Sequence, residues 1–157
     1  MLHEITLSLF CLMLITAATM DVMTLRIPNW LNIAIALLFL PAAYLGGMPL
    51  GVFGCHLAVG AIMLLAGIVL FAAGAFGGGD AKLLAAAALW LGCAALMPFL
   101  LWTSIWGLGL ALWMGARGWA SGRRGRALLR TGVPYGVALA TGAIMALPTS
   151  WWLPGAG

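Results

Sequence analysis

Acidic residues are scarce in this sequence, and their scarcity makes each one a candidate for chemistry. The acidic residues among the 157 are only three, namely Glu4, Asp21 and Asp80. A pair of aspartates can perform acid–base chemistry on a water molecule, or can bind a cation or proton. Each aspartate also has a simpler interpretation, because Asp80 can cap a helix and Asp21 can be the polar residue that ends one. The surrounding elements must show which interpretation applies.

The composition identifies the class of protein. Hydrophobic residues make up 65% of the chain and charged residues 6%, whereas soluble domains carry about 25% charged residues. A surface with so few polar groups must face lipid. The apolar runs are continuous rather than alternating, which argues against a β-barrel. We therefore predict an all-α polytopic membrane protein with a single domain over residues 1–157, built as a bundle of about six transmembrane helices.

The interruptions between apolar runs predict where the helices lie. Asn29, after Pro28, is expected to cap the second helix, and Pro98 is expected to turn the chain from the fourth helix to the fifth. Trp151 and Trp152 are expected in an aromatic belt at the membrane surface. The predicted helices span residues 5–20, 30–45, 52–76, 80–96, 98–115 and 133–148.

The basic residues predict the orientation. With six spans, all of them fall on one face, which the positive-inside rule makes cytoplasmic. Both aspartates lie on that face, and both termini are expected outside. The arginine-rich segment is better explained by attraction to anionic lipid headgroups than by binding of nucleic acid. The basic residues are Arg26, Lys82, Arg117, Arg123, Arg124, Arg126 and Arg130.

Both aspartates lie within recognisable strings. Asp21 precedes Ile27-Pro28-Asn29 by the spacing D-x5-I-P-N, and Asp80 closes G-x-G-D and is followed by Ala81-Lys82. Near the last predicted helix stands Val133-Pro134-Tyr135-Gly136. Together these strings resemble the type IV prepilin peptidase family of intramembrane aspartic proteases. In that family an aspartate ahead of Ile-Pro-Asn pairs with the G-x-G-D aspartate.

The resemblance implies an aspartic endopeptidase with Asp21 and Asp80 as catalytic residues. Gly77, Gly78 and Gly79 would let the substrate backbone approach Asp80, permitting a bent, strand-like entry, although a flexible loop explains them as well. The substrate would be a prepilin or pseudopilin, cleaved at the cytoplasmic boundary of a bacterial plasma membrane during pilus biogenesis or protein secretion. Which helices part to admit it, and the oligomeric state, stay open.

Other residues carry weaker signals. Cys11, Cys55 and Cys93 are isolated within apolar runs, so no metal or cofactor site is predicted, and His56 is expected to be a packing residue. Without the family's paired C-x-x-C segment, the chain resembles the short branch associated with Flp-type pili, and no methyltransferase activity is expected. A transporter that uses the same aspartates is the alternative, and a noncatalytic scaffold is a third possibility.

Overall fold

The computed structural model describes residues 2–120 and 134–153, and these ranges are mainly helical. The helices of the described ranges are α1 (Leu2–Thr24), α2 (Asn29–Leu45), α3 (Leu50–Ala72), α4 (Gly78–Ala120) and α5 (Tyr135–Ala146), with a 3-10 turn at Leu147–Thr149. In the packing, α4 contacts α2, α3 and α5, whereas α1 contacts α2 and α5.

The helices are of the kind predicted for a membrane protein. Within the described residues, three are long and apolar enough to cross a bilayer: Glu4–Thr24, Leu50–Ala72 and Gly78–Arg117. The helices α2 and α5 are apolar but shorter. An all-helical fold with long apolar helices is therefore confirmed. The first helix runs past its predicted end, so that Asp21 lies inside the last turn of α1 rather than after it.

The chain does not turn at Pro98 as predicted, because Pro98 lies inside α4. The backbone instead leaves the helical conformation at Gly92, which has φ 69° and ψ −169°. A proline removes one helical hydrogen bond without reversing the chain. The conformation of Gly92 lies in a region that essentially only glycine adopts, and glycine is the residue that permits the break.

Contacts with α5 show that the two arms of α4 run in opposite directions. Before Gly92, the carbonyl of Trp90 accepts a hydrogen bond of 2.5 Å from Nε1 of Trp152, which follows α5. After Gly92, Gly107 packs against Tyr135 at the start of α5. The second arm therefore returns toward the end from which the first arm started.

One end of the bundle is closed by aromatic packing. Phe10 stacks on Trp90 with ring centroids 4.3 Å apart, and Phe39 meets both Trp90 and Trp152 edge to face. Trp152 is only 4% exposed, so its predicted place in an aromatic belt is wrong; the 3-10 turn folds it back into the bundle. We call this end the aromatic end, and the end that holds Asp21 and Asp80 the aspartate end.

His56 belongs to the aromatic end, which confirms its predicted packing role. It is 2% exposed, and its Nδ1 lies 2.8 Å from the carbonyl oxygen of Leu89. Beside it, Cys55 and Cys93 are not isolated in space, because their Cα atoms are 6.0 Å apart. That separation is within the range that a disulfide spans. The pairing arises from the antiparallel packing of α3 on the first arm of α4, which spacing along the chain does not reveal.

The backbone at Gly92 predicts the effect of adding a side chain there. In Gly92→Ala the new Cβ would enter a disfavoured backbone region and overlap the ring of His56, so we expect the free energy of unfolding to fall by about 1–3 kcal/mol. Gly109→Ala is the control, because the space around Gly109 is open. Thermal unfolding in detergent should show a lower midpoint for Gly92→Ala only. Equal midpoints would contradict the assigned break.

Candidate active site

A cavity of about 370 Å³ lies at the aspartate end, between the end of α1 and the start of α4. Its lining includes Asp21, Asp80 and all three predicted glycines, and the rest of the lining comes from residues 25–29. Folding therefore brings the two strings that carry the aspartates to a single cavity. The predicted topology places both aspartates on one face of the membrane, and the structure shows that both line this cavity.

Asp21 is held by the start of α5. Its side chain is 4% exposed, and Oδ2 accepts a hydrogen bond of 2.6 Å from the backbone N–H of Gly136. Gly136 is the second residue of α5. The first N–H groups of a helix lack partners within it and carry partial positive charge, so a helix start suits a carboxylate.

The absence of a side chain at Gly136 makes this contact possible. A Cβ there would lie 2.8 Å from Oδ2 of Asp21 and 2.9 Å from Cδ1 of Ile27, both closer than real Cβ contacts. The Pro134-Tyr135-Gly136 string thus contributes directly to the site. Sequence reasoning singled out the string but did not predict that it contacts Asp21. Its neighbour Val133 lies outside the described residues.

Asp80 lies in the first turn of α4. It is the third residue of α4, and its carboxyl group lies beside the backbone of Gly77, just before the helix, whose N–H interacts favourably with it. The N–H of Ala81 donates to the carbonyl of Gly77 over 3.0 Å and closes the first turn. The N-cap interpretation is therefore wrong, because Asp80 lies within the first turn of α4 rather than before it. Asp80 lines the cavity and lies close enough to interact with the charge of Asp21.

The three glycines differ in their surroundings. Gly78 and Gly79 form the first turn of α4, so the flexible-loop interpretation is wrong for them. A Cβ at Gly79 would lie 3.1 Å from both Cβ and the carbonyl oxygen of Ile27, whereas one at Gly78 would only touch the ring of Phe71 at 3.5 Å. Gly79 thus permits close approach of the two segments that carry the aspartates. A Cβ at Gly77 would lie 2.8 Å from Oδ2 of Asp80.

A tight turn after α1 sets the path of the Ile-Pro-Asn string. Leu25 has φ 52°, a left-handed conformation that costs a residue with a side chain about 1–2 kcal/mol. Its N–H donates to the carbonyl of Asp21 over 2.8 Å. The hydroxyl oxygen of Thr24 lies 2.8 Å from the carbonyl oxygen of Met20 and 3.1 Å from that of Arg26, so its one hydrogen is shared between these two acceptors. These bonds stabilise the turn that directs residues 26–28 along the cavity.

Two asparagines of α2 connect this string to α4. Asn29 does not cap α2 as predicted, because no side-chain cap is formed and its Oδ1 instead accepts a 2.7 Å hydrogen bond from Nζ of Lys82. Asn32, which sequence reasoning missed, is 4% exposed and donates from Nδ2 to the carbonyl of Gly79 over 3.2 Å. An amide one turn after Asn29 in an otherwise apolar helix was the available signal.

Tyr135 packs against Phe76, the residue before the glycine run, and against the second arm of α4. Its ring meets Phe76 edge to face with centroids 5.0 Å apart. A Cβ at Gly107 would lie 3.3 Å from its hydroxyl oxygen, so the second arm of α4 packs tightly on it. One aromatic ring therefore links the residue before the glycine run, the start of α5 and the returning arm of α4.

Two further predictions concern metal binding and the arginine-rich segment. Among residues 2–120 and 134–153, no group of three or more His, Cys, Asp or Glu side chains could hold a metal ion. Arg117 is described, and its guanidinium lies 4.6 Å from the ring centroid of Trp113. The other four arginines of that segment, Arg123, Arg124, Arg126 and Arg130, lie outside the described residues.

The contrast between Gly78 and Gly79 is directly testable. In Gly79→Ala the added Cβ meets the backbone of Ile27 in a constrained turn, so we expect a loss of about 1–3 kcal/mol in the free energy of unfolding. Gly78→Ala is the matched control, because its Cβ makes an ordinary contact. Thermal unfolding in detergent measures both variants. A destabilisation of similar size in the two would contradict the close approach at Gly79.

Comparison with known proteins identifies a family for this chain. A family model described as the Type IV leader peptidase family matches residues 8–112, a range that contains both aspartates and the glycine run. Searches of curated proteins and of solved structures find no significant match. Because the matched range covers more than half of the chain, the chain belongs to the type IV leader peptidase family.

Proposed function

We propose that this protein is a membrane-embedded aspartic endopeptidase that removes the leader peptide of prepilins or pseudopilins. The observation that carries the proposal is the joint position of Asp21 and Asp80 at one cavity, where Asp21 accepts a hydrogen bond from the N–H of Gly136 and Asp80 lies beside the N–H of Gly77. Membership of a peptidase family favours this function over a transporter that uses the same aspartates.

The chemistry follows from two carboxyl groups in an apolar setting. Such a pair does not readily carry two negative charges, so it shares one proton, and its titration belongs to the pair. The ionised carboxylate accepts a proton from water while the water oxygen attacks the scissile carbonyl carbon. The protonated carboxyl group donates to the carbonyl oxygen, which becomes a hydroxyl. When the C–N bond breaks, the leaving nitrogen takes the proton that the first carboxylate had accepted from water. One hydroxyl of the intermediate gives its proton to the other carboxylate as the carbonyl re-forms, so the pair again holds one proton.

The backbone donors keep this pair in position. The N–H of Gly136 donates a hydrogen bond to Asp21, and the N–H of Gly77 interacts favourably with Asp80. Neither donor has a side chain that rotates, so both carboxyl groups are oriented before substrate binds. Holding a catalytic group in the geometry that the reaction needs lowers the barrier.

The placement in the membrane follows from helix length and charge. A straight α4 of 43 residues would measure about 65 Å, roughly twice the thickness of a bilayer core. We infer that its two arms cross the bilayer separately, which with α1, α2, α3 and α5 makes six spans. Arg26 and Lys82 lie near the aspartates, so the positive-inside rule places the aspartate end at the cytoplasmic face of a bacterial plasma membrane.

Removing either carboxyl group is the direct test of the mechanism. In Asp21→Asn and Asp80→Asn, the pair can no longer share a proton between two acids, so cleavage of a co-expressed prepilin should slow by at least about 100-fold. The measurement is the appearance of mature pilin in membranes over time. Glu4→Gln is the control, because Glu4 lies near the opposite end of α1. Full processing by either aspartate variant would reject the proposal.

Displacing Asp21 without removing it should also slow cleavage. In Gly136→Ala the new Cβ meets Oδ2 of Asp21 and Cδ1 of Ile27, so the carboxyl group must move. Moving a catalytic group by about 1 Å costs on the order of 100-fold in rate. We expect kcat to fall more than KM rises. Gly54→Ala, at an open position of α3, should retain the wild-type rate; an unchanged kcat in Gly136→Ala would contradict the role of this contact.

A further inference from the structure

A groove separates two helices that follow each other in the chain. Both α2 and α3 pack on α4, but they make almost no backbone contact with each other. They meet at the aromatic end, where Phe39 stacks on Phe53 with centroids 5.6 Å apart. Toward the aspartate end a groove of about 380 Å³ lies between them, with the first arm of α4 as its floor.

The lining of the groove suits a helix. On α4 the lining residues include Lys82, Ala85, Ala86 and Leu89, which recur at the spacing of one helix face. This stripe is about 10 Å long, close to two helical turns. Its centre is formed by alanines, and on the α3 side Gly60 and Ala61 line the groove. Small residues let the backbones of membrane helices approach closely.

A polar atom marks the end of the groove nearest the aspartates. Asn32 lines the groove and is 4% exposed, and its Oδ1 accepts no hydrogen bond within the described residues. A buried acceptor without a donor is energetically unfavourable. A lipid acyl chain has no donor to offer. The first turn of a helix has four N–H groups without partners inside the helix, which are suitable donors.

Asn32 and Lys82 lie at the boundary between the groove and the active-site cavity. Asn32 lines the groove and donates to the carbonyl of Gly79, which lines the cavity. Lys82 lines the groove and donates to Asn29, which lines the cavity. A helix in the groove with its first turn at Asn32 would therefore lead directly to Asp21 and Asp80.

We infer that this groove receives the apolar helix of the leader-bearing substrate, which enters sideways from the lipid between α2 and α3. The inference rests on the proposed function and adds the place and direction of binding. The first turn of the substrate helix lies at Asn32, whose Oδ1 accepts one of its free N–H groups. The extended peptide ahead of that turn then crosses the cavity, where the scissile bond meets the two aspartates.

Photo-crosslinking tests the occupant of the groove. Ala61 lines the groove, whereas Ala58, three residues earlier on α3, is exposed outside it. We would place p-benzoylphenylalanine at position 61 or 58 of the full chain and co-express a prepilin with a short basic leader. Crosslinks to the prepilin are expected from position 61 and not from position 58. Crosslinks from position 61 to lipid alone or to a second copy of this chain, or equal yields from both positions, would overturn the inference.

Filling the groove tests whether its occupation matters for cleavage. Ala61→Phe should slow prepilin cleavage at least tenfold, chiefly through a higher KM, whereas Ala58→Phe should retain the wild-type rate. Normal cleavage by Ala61→Phe would overturn the groove as the docking site and leave the proposed function intact. Failure of the wild-type chain to cleave any prepilin would overturn the function itself. The two failures are therefore distinguishable.

Discussion

A carboxyl group inside an apolar bundle needs hydrogen-bond donors, and this chain has few polar side chains that could supply them. The donors at the site come from the backbone at helix starts. Asp21 accepts a hydrogen bond from the N–H of Gly136 near the start of α5, and Asp80 lies beside the N–H of Gly77 just before α4. These contacts connect the start of α5 to the end of α1, and the start of α4 to the residue before it.

Glycine is what allows backbone groups to act in this way. The donor at α5 reaches Asp21 only because Gly136 has no Cβ, and the start of α4 approaches Ile27 only because of Gly79. At the other end, Gly92 adopts a conformation that reverses α4 and so places the second arm behind Tyr135. The glycine-rich composition of the chain therefore has specific structural uses at these positions.

The site and the groove share a boundary, which has consequences for the proposed mechanism. Asn32 and Lys82 face the groove, and each hydrogen-bonds to a residue that lines the cavity. Under the proposed mechanism, a substrate helix that binds in the groove would thus act on the same bonds that hold the start of α4. Recognition of the apolar helix and orientation of Asp80 would then depend on a single set of contacts.

The sequence by itself determined the class of fold, because hydrophobic composition and run length report the solvent that a chain can tolerate. It also identified both aspartates, because charge is scarce and their flanking strings are specific. Local preferences gave wrong predictions at two positions. Pro98 was expected to turn the chain but lies inside α4, and Asn29 was expected to cap α2 but accepts a hydrogen bond from Lys82 instead. The prediction also failed at Trp152, which packs in the core instead of a belt.

Only the tertiary structure decided which groups meet. The contact of Gly136 with Asp21, the pairing of Asn32 with Gly79, and the separation of α2 from α3 join or divide residues that are distant in the chain. Spacing along one helix predicts which residues share a face, but not which neighbour that face meets. Packing sets that neighbour, because close approach depends on where side chains are absent on both partners at once.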